Sequence, residues 1–155
     1  MMRVGFGYDS HRFEEAATKP LVLGGIVFEG ERGLQAHSDG DVVVHAVIDA
    51  LLGAAGLGNI GSHFPDTDPA WANADSTELL AAVVRELAAA GKSVGNVDVT
   101  VICERPRIGP KSADMERRLG ALVGAPVSVK GKTNERLDDI GAGLGIEVHA
   151  VCLLQ

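Results

Sequence analysis

Three stretches with helical spacing of apolar residues are interleaved with five short strand-like stretches, and this order most constrains the fold. The predicted strands cover residues 3–8, 21–28, 97–104, 127–130 and 146–154, the second being interrupted by Gly24-Gly25. The predicted helices cover residues 39–55, 75–90 and 111–123. The order β-β-α-α-β-α-β-β predicts one α+β domain over residues 1–155, with a four-stranded mixed sheet and three helices on one face.

The last predicted strand, residues 146–154 (IEVHAVCLL), carries apolar residues on both faces. One face of the sheet can pack on the helices. If all three helices lie on one side, the other face needs cover from elsewhere, and a partner subunit is the natural source. The pattern therefore favours an oligomer.

Composition and charge narrow the classes of function. Of the 155 residues, 46% are hydrophobic and 23% charged, and the formal net charge is −7. We expect such an acidic surface to repel nucleic acid and anionic membranes. Residues 1–5 lack the apolar core of a signal peptide, no run is long enough for a membrane helix, and Cys103 and Cys152 form neither a disulfide framework nor a CxxC motif. These observations predict a cytoplasmic protein.

The first candidate for chemistry is Asp9-x-His11, just after the opening strand. In extended chain, residues i and i+2 point the same way, so the carboxylate and the imidazole can converge on one divalent ion such as zinc. A third ligand must come from elsewhere, and His45, one turn into the first helix, is the best candidate. The alternative is a turn-capping aspartate beside a histidine on a half-buried face.

The second candidate lies in residues 56–73, a long stretch without periodicity that contains Phe64-Pro65-Asp66-Thr67-Asp68-Pro69. Loops of this length in a small domain are usually functional, and two prolines with an aromatic ring favour a shaped lid. An acidic surface loop is the alternative. Calcium is rejected, because the ligand ladder and terminal glutamate of an EF-hand are missing.

Two further segments carry groups suited to phosphate. Residues 130–135 (KGKTNE) combine lysine, a threonine hydroxyl and a carboxylate, which suit a phosphate and magnesium site, although a polar turn between strands is the alternative. Residues 103–110 (CERPRIGP) lead from a strand into a helix N-terminus, where amides can hold an anion. We expect Cys103 to be a core residue rather than a nucleophile. Neither the P-loop nor the dinucleotide motif is complete, the latter because Gly5-x-Gly7 stands alone.

Taken together, these segments closely resemble the family of 2-C-methyl-D-erythritol 2,4-cyclodiphosphate synthases, enzymes of the non-mevalonate isoprenoid pathway. The matching strings are GFGYDSHRF at 5–13, GLQAHSDGDVVVHAVIDALLGAAGLGNIG at 33–61, FPDTDP at 64–69, GNVDVTVICERPRIGP at 95–110 and VKGKTNERL at 129–137. They span nearly the whole chain in the family's order.

The resemblance implies a homotrimer around a central cavity, with active sites between subunits. The family converts 4-diphosphocytidyl-2-C-methyl-D-erythritol 2-phosphate into the cyclic diphosphate and releases CMP. It implies zinc, or a similar divalent ion, at Asp9, His11 and His45, and magnesium or manganese at Glu135. His37 and Thr133 match positions assigned to transition-state stabilisation.

The resemblance also implies the substrate contacts. The cytidine pocket corresponds to Cys103, Glu104, Arg105, Pro106, Arg107, Ile108 and Gly109 with Lys132, Thr133, Asn134 and Glu135. The methylerythritol contacts correspond to Asn59, Ile60, Gly61, Phe64, Pro65, Asp66, Thr67 and Asp68. Further substrate contacts are expected at Asp9, Ser10, His11, His37 and Ser38.

Three positions depart from the family's pattern. Asn59 stands where an aspartate is usual, and Asp139 where many bacterial members have an apolar or aromatic residue. Ala142 replaces an arginine that can hold an isoprenoid diphosphate in the central cavity, so we expect such ligands to bind weakly or not at all. Two other functions remain open: a hydrolase that directs water at a diphosphate, and a non-catalytic trimeric nucleotide-binding protein.

Overall fold

The computed structural model describes residues 1–155 and contains one four-stranded mixed sheet in the order β1-β6-β4-β5. Its strands are β1 (Arg3–Arg12), β4 (Val94–Ile102), β5 (Val127–Lys132) and β6 (Gly145–Leu154). β6 runs antiparallel to both β1 and β4, whereas β4 and β5 are parallel. The predicted single α+β domain with a four-stranded mixed sheet is confirmed.

Three long helices lie where the apolar periodicity predicts them. They are α1 (Val42–Ala55), α3 (Ser76–Ala89) and α4 (Gly109–Val123). Asp41 caps α1 and Asp75 caps α3, each through a side-chain oxygen that accepts a backbone N–H. α4 has proline in its first turn and ends at Gly124 in the left-handed conformation, as predicted.

The core lies between the sheet and these helices. β6 alternates strictly: its even-numbered residues from Ile146 to Leu154 are buried, and Glu147, His149 and Val151 lie on the other face. α1 packs on β1 and β6, α4 packs on β5, and α3 packs on the two other long helices. The register places Asp9 opposite Val148 and His11 opposite Ile146, so both belong to the helix-covered face.

Residues 21–28 do not form one strand. They belong to a separate hairpin of β2 (Pro20–Leu23) and β3 (Ile26–Arg32). Gly24 and Gly25 form the turn, with φ values of 60° and 73°. Glycine adopts this left-handed conformation at little cost because it has no Cβ. The predicted strand interruption was therefore a reversal of chain direction.

Other elements also differ from the prediction: α1 begins at Val42 rather than 39, β4 covers Val94–Ile102 rather than 97–104, and β5 ends at Lys132 rather than 130. β1 continues to Arg12, because its backbone stays paired with β6 through that residue. The segment 56–73 contains a short helix, α2 (Ile60–His63), and a 3-10 turn at Pro69–Trp71. A further short helix, α5 (Asp138–Gly141), precedes β6.

The sheet face opposite the helices is open in the single chain. Val4, Phe6 and Tyr8 of β1 and Val151 of β6 are exposed there. A cavity of about 580 Å³ lies beside this face; its polar lining includes Tyr8, Ser10, Arg12, Asp138, Asp139 and Glu147. No helix in the structure has the length and apolar character needed to cross a bilayer.

Candidate active site

Asp9, His11 and His45 meet between β1 and the first turn of α1. Asp9 Oδ2 lies 3.0 Å from His11 Nε2 and 3.1 Å from His45 Nδ1, and the two ring nitrogens are 3.3 Å apart. A tetrahedral site with metal–ligand bonds of about 2.0–2.1 Å has ligand–ligand edges of about 3.3–3.4 Å. The three atoms therefore form a nearly equilateral triangle of the size that one divalent ion requires, and the group is able to hold a metal.

Hydrogen bonds on the far side of each group fix its orientation. His11 Nδ1 lies 2.8 Å from the backbone oxygen of Gln35, which can only accept, so Nδ1 carries a proton. In the neutral ring the Nε2 lone pair then points at Asp9 Oδ2. The other carboxylate oxygen, Asp9 Oδ1, accepts the backbone N–H of Ser10 at 2.9 Å.

Without a metal ion, hydrogen bonds from the imidazole rings to the Asp9 carboxylate hold the three side chains together. Burial disfavours the charged form of Asp9, but hydrogen bonds from His11 and His45 outweigh it and lower the Asp9 pKa to about 2. Burial likewise opposes protonation of His11, and its hydrogen bond to Asp9 outweighs burial and raises the His11 pKa. The electrostatics thus favour positive charge between these groups, whether a proton or a metal ion supplies it.

The triad opens into a cavity of about 440 Å³. Its lining includes the predicted site residues Asp9, His11, His37, Ser38, His45, Ile60, Gly61, Phe64, Pro65 and Asp66. His37 Nε2 donates to the backbone oxygen of Asp68 at 3.2 Å, which ties this side chain to the 64–68 loop. Phe64 packs edge-on against Trp71, with 5.0 Å between ring centroids.

A second cavity of about 400 Å³ lies at the end of β4 and the start of α4. Its lining includes the predicted residues Cys103, Glu104, Pro106, Arg107, Ile108, Gly109, Lys132 and Thr133. Burial raises the pKa of the Cys103 thiol to about 12, which agrees with a structural rather than a nucleophilic role. In the single chain the two cavities share no lining residue.

Glu104 organises the turn that contains Asn134 and Glu135. Its Oε1 accepts the backbone N–H of Asn134 at 3.3 Å and that of Arg136 at 3.5 Å. Glu135 adopts a φ of 52° and donates its N–H to Thr133 Oγ1 at 3.4 Å. The Glu135 carboxylate does not belong to the Asp9–His11–His45 group within this chain.

The remaining predicted residues lie outside both cavities. Asn59 caps α2, its Oδ1 accepting the N–H of Ser62 at 3.0 Å. Asp68 caps the 3-10 turn at Pro69–Trp71, and Thr67 precedes it in the exposed loop. Ser10 faces the cavity beside the open sheet face, and Arg105 pairs with Glu31 at 3.0 Å on the surface.

Sequence reasoning missed a set of buried polar residues behind the triad. Asp41 is fully buried and accepts the N–H groups of Gly24, Gly25 and Val44 at 2.7–3.1 Å, so one carboxylate joins the β2–β3 hairpin to α1. Ser76, also fully buried, contacts His45. The polar run before α1 was a signal for Asp41, but nothing local marks Ser76, which lies 31 positions from its partner.

The fold and the triad together define a class: a single-domain α+β protein with an Asp-His-His group able to hold a metal ion. The model of the YgbB family matches residues 2–155, and the chain belongs to that family. A Symbiobacterium thermophilum protein named 2-C-methyl-D-erythritol 2,4-cyclodiphosphate synthase is 52% identical to it over 99% of this chain and 98% of that protein. The predicted family resemblance is confirmed.

Solved structures give the same result. The bifunctional IspDF from Campylobacter jejuni superposes with a TM-score of 0.94 at 36% identity, over 99% of this chain and 42% of that longer one. A 2C-methyl-D-erythritol-2,4-cyclodiphosphate synthase in a CDP-bound form superposes with a TM-score of 0.88 at 38% identity, over 99% of this chain and 100% of that one.

Proposed function

We propose that this chain is a cyclodiphosphate synthase of isoprenoid biosynthesis, a phosphorus–oxygen lyase whose single domain spans residues 1–155. It closes 4-diphosphocytidyl-2-C-methyl-D-erythritol 2-phosphate to 2-C-methyl-D-erythritol 2,4-cyclodiphosphate and releases CMP. Support comes from the named relative at 52% identity and from the CDP-bound structure with the same fold. The observation that carries the proposal is the convergence of Asp9, His11 and His45 on one point at 3.0–3.3 Å separations.

The imidazole nitrogens of His11 and His45 and a carboxylate oxygen of Asp9 would hold zinc or a similar divalent ion, which would supply positive charge to the substrate phosphates. Glu135 is proposed to hold magnesium or manganese, which would supply further positive charge to the substrate phosphates. When bound, these ions neutralise phosphate charge that a protein of net charge −7 would otherwise repel.

The chain's own residues supply position rather than acid–base chemistry. The 2-phosphate of the substrate attacks the β-phosphorus of the same molecule, the new P–O bond forms, and the bond to the CMP oxygen breaks. Because nucleophile and electrophile are parts of one bound molecule, correct orientation supplies several kcal/mol of the rate enhancement. A phosphate anion already serves as nucleophile, so no strong general base is needed. His37 and Thr133 are proposed to donate hydrogen bonds to the charge that develops.

The two cavities divide the substrate between them. The pocket of Cys103–Gly109 with Lys132–Glu135 is proposed for the cytidine diphosphate arm, where amides at the start of α4 suit a base edge or phosphate. The cavity beside the triad, with residues 59–61 and 64–68, is proposed for the methylerythritol phosphate. Asp9, Ser10, His11, His37 and Ser38 are proposed as further substrate contacts.

A homotrimer with active sites between subunits would join these halves. The two cavities have no lining residue in common within one chain, which fits an active site built from one cavity of each of two neighbouring protomers. The open sheet face with exposed Phe6, Tyr8 and Val151 offers the surface that such an assembly would cover. The three sheets would then surround a central cavity.

The proposed partner is therefore a small-molecule cytidine diphosphate, with neither nucleic acid nor membrane as a ligand. A cytoplasmic location is proposed as well. Both cysteines are buried and unpaired, as expected where the environment keeps thiols reduced.

Phosphorus-31 NMR of the products tests the proposed reaction. With the substrate, zinc and magnesium, we expect resonances of a cyclic diphosphate together with CMP. A linear phosphate product would instead establish a hydrolase, and tight CMP binding without turnover would establish a non-catalytic nucleotide-binding protein. Asp9→Ala should abolish the cyclic product, while Asp114→Ala, an exposed carboxylate on α4 that pairs with Arg117, should retain it.

A further inference from the structure

The ring of His45 makes a second set of hydrogen bonds on the side away from Asp9 and His11. Its Nε2 lies 2.9 Å from Ser76 Oγ, and Ser76 Oγ lies 2.5 Å from Asp39 Oδ1. His45 is 7% exposed and Ser76 is fully buried, so solvent does not compete for the contact between them, and the Ser76–Asp39 contact is half-buried. A continuous chain of polar atoms therefore runs from the triad, through His45 and Ser76, to a carboxylate.

Proton positions along this chain follow from what each atom can donate. A serine hydroxyl has one proton, and Ser76 gives it to Asp39, because a carboxylate oxygen can only accept. Ser76 Oγ can then only accept from the ring, so His45 Nε2 carries the proton. In the neutral ring this leaves the Nδ1 lone pair directed at Asp9 Oδ2 and His11 Nε2.

The carboxylate at the end of this chain is itself firmly held. Asp39 Oδ2 accepts the N–H of Ser76 at 3.0 Å, and Oδ1 also accepts the N–H of Asp41 at 3.1 Å. The backbone N–H of Asp39 donates to the oxygen of Ala74 at 3.1 Å. These bonds tie the start of α1 to the start of α3, so both the tautomer and the tilt of the His45 ring are set by the fold.

We propose that Ser76 and Asp39 are positioning residues for the metal centre, holding His45 with its Nδ1 lone pair aimed at the ion. The inference rests on the proposed function, since it takes His45 as a metal ligand. Ser38 Oγ also lies near His45 Nε2, but at the longer distance of 3.2 Å, and it accepts the N–H of Gly40. Ser38 is therefore secondary to Ser76 in orienting the ring. Groups that orient a metal-bound histidine in this way typically change metal affinity about 10- to 100-fold when removed.

The test measures zinc affinity of the full chain by competition with a chelator, together with the visible absorption spectrum of the Co²⁺ form. Ser76→Ala should weaken zinc binding about 10- to 100-fold and alter the Co²⁺ spectrum, because the ring loses its fixed tautomer. Thr77→Val is the matched control: Thr77 is a buried hydroxyl in the same turn of α3, but it donates to Asp75 and not to His45. It should keep wild-type affinity and spectrum, and Ser38→Ala should have a smaller effect than Ser76→Ala.

Asp39→Asn provides a second variant that keeps the volume of the side chain. In either orientation of the amide, its NH₂ replaces a carboxylate oxygen that accepts a hydrogen bond from Ser76, either from the hydroxyl or from the backbone N–H. Because that hydrogen bond is lost, zinc affinity should fall as in Ser76→Ala. The inference would be overturned if both variants kept the wild-type affinity and spectrum, or if Thr77→Val lost as much affinity as they do. The proposed function would still stand in that case, provided that the wild type binds zinc. A wild-type protein that binds no zinc would overturn both.

Discussion

Replacing Gly7 by alanine tests how the fold assembles the triad. A Cβ at position 7 would lie 1.9 Å from the oxygen of Ala46 and 2.7 Å from the nitrogen of Ala50, both backbone atoms of α1. Reaching even 3.0 Å from that oxygen requires about 1.1 Å of separation. Because Asp9 and His11 move with β1 and His45 moves with α1, this separation would pull the triad apart.

The magnitude follows from the same distances. Asp9 Oδ2 and His45 Nδ1, now 3.1 Å apart, would move to about 4 Å, beyond the roughly 3.4 Å edge of a tetrahedral zinc site. The clashing atoms belong to the backbone, so no side-chain rotation can relieve the overpacking. Its cost in stability should therefore lie at the upper end of the usual range, about 3 kcal/mol. We therefore expect Gly7→Ala to lower the free energy of unfolding by about 3 kcal/mol and to weaken zinc binding by more than about tenfold.

Urea denaturation and chelator competition measure the two effects. Gly53→Ala is the control on the facing helix, since its Cβ would meet only the oxygen of Phe6, at 3.9 Å. It should leave zinc affinity unchanged and stabilise α1 by about 0.5–1 kcal/mol. A Gly7→Ala variant with wild-type stability and zinc affinity would refute the close β1–α1 contact as the feature that sets the triad's geometry.

Three further predictions concern pH, the hairpin and the open sheet face. In the metal-free protein, Asp9 and His11 stabilise the fold most between pH 3.8 and 6.5, because the pKa of Asp9 is lowered to about 2 and that of His11 is raised. The stabilisation from Asp9, about 2 kcal/mol, is lost as the pH falls toward the pKa of Asp9 in the folded protein. The stabilisation from His11 is lost as the pH rises through the pKa of His11 in the folded protein. A pH-independent stability difference between wild type and Asp9→Ala in urea unfolding would contradict this. Asp41→Ala should cost about 3 kcal/mol in urea unfolding, because two buried N–H groups and one half-buried N–H group lose their acceptor. A loss below about 1 kcal/mol would be inconsistent with that account. Geranyl diphosphate should bind weakly or not at all by calorimetry, because the carboxylates of Asp138, Asp139 and Glu147 outnumber the single guanidinium, that of Arg12, in the cavity beside the open face. Micromolar affinity would show that this reasoning fails.

The regular part of the fold was predictable because it follows from local periodicity. Helices α3 and α4 carry apolar residues along one side, α1 is apolar around nearly its whole circumference, and β6 is a continuous run rich in apolar residues, so the positions of all four follow from the sequence. The β2–β3 hairpin was not predicted, because Gly24-Gly25 between two apolar runs was interpreted as an interruption rather than as a two-residue turn.

The triad was predictable in part. Asp9-x-His11 has the spacing that places two side chains on one face of a strand, and that rule holds however the rest of the chain folds. The role of Gly5 and Gly7 could not be obtained locally: they were considered as a fragment of a dinucleotide motif, yet they make room for α1. Ser76 was missed for the same reason, since a serine opening a helix is indistinguishable in sequence from one that orients a distant histidine.

Calorimetric titration of the metal-free protein with zinc tests the central claim most directly. We expect one tight zinc site per chain in the wild type, its loss in His45→Ala, and its retention in Asp114→Ala. Equal zinc binding by His45→Ala and the wild type, or no stoichiometric site in the wild type, would mean that Asp9, His11 and His45 do not hold the ion on which the proposed chemistry depends.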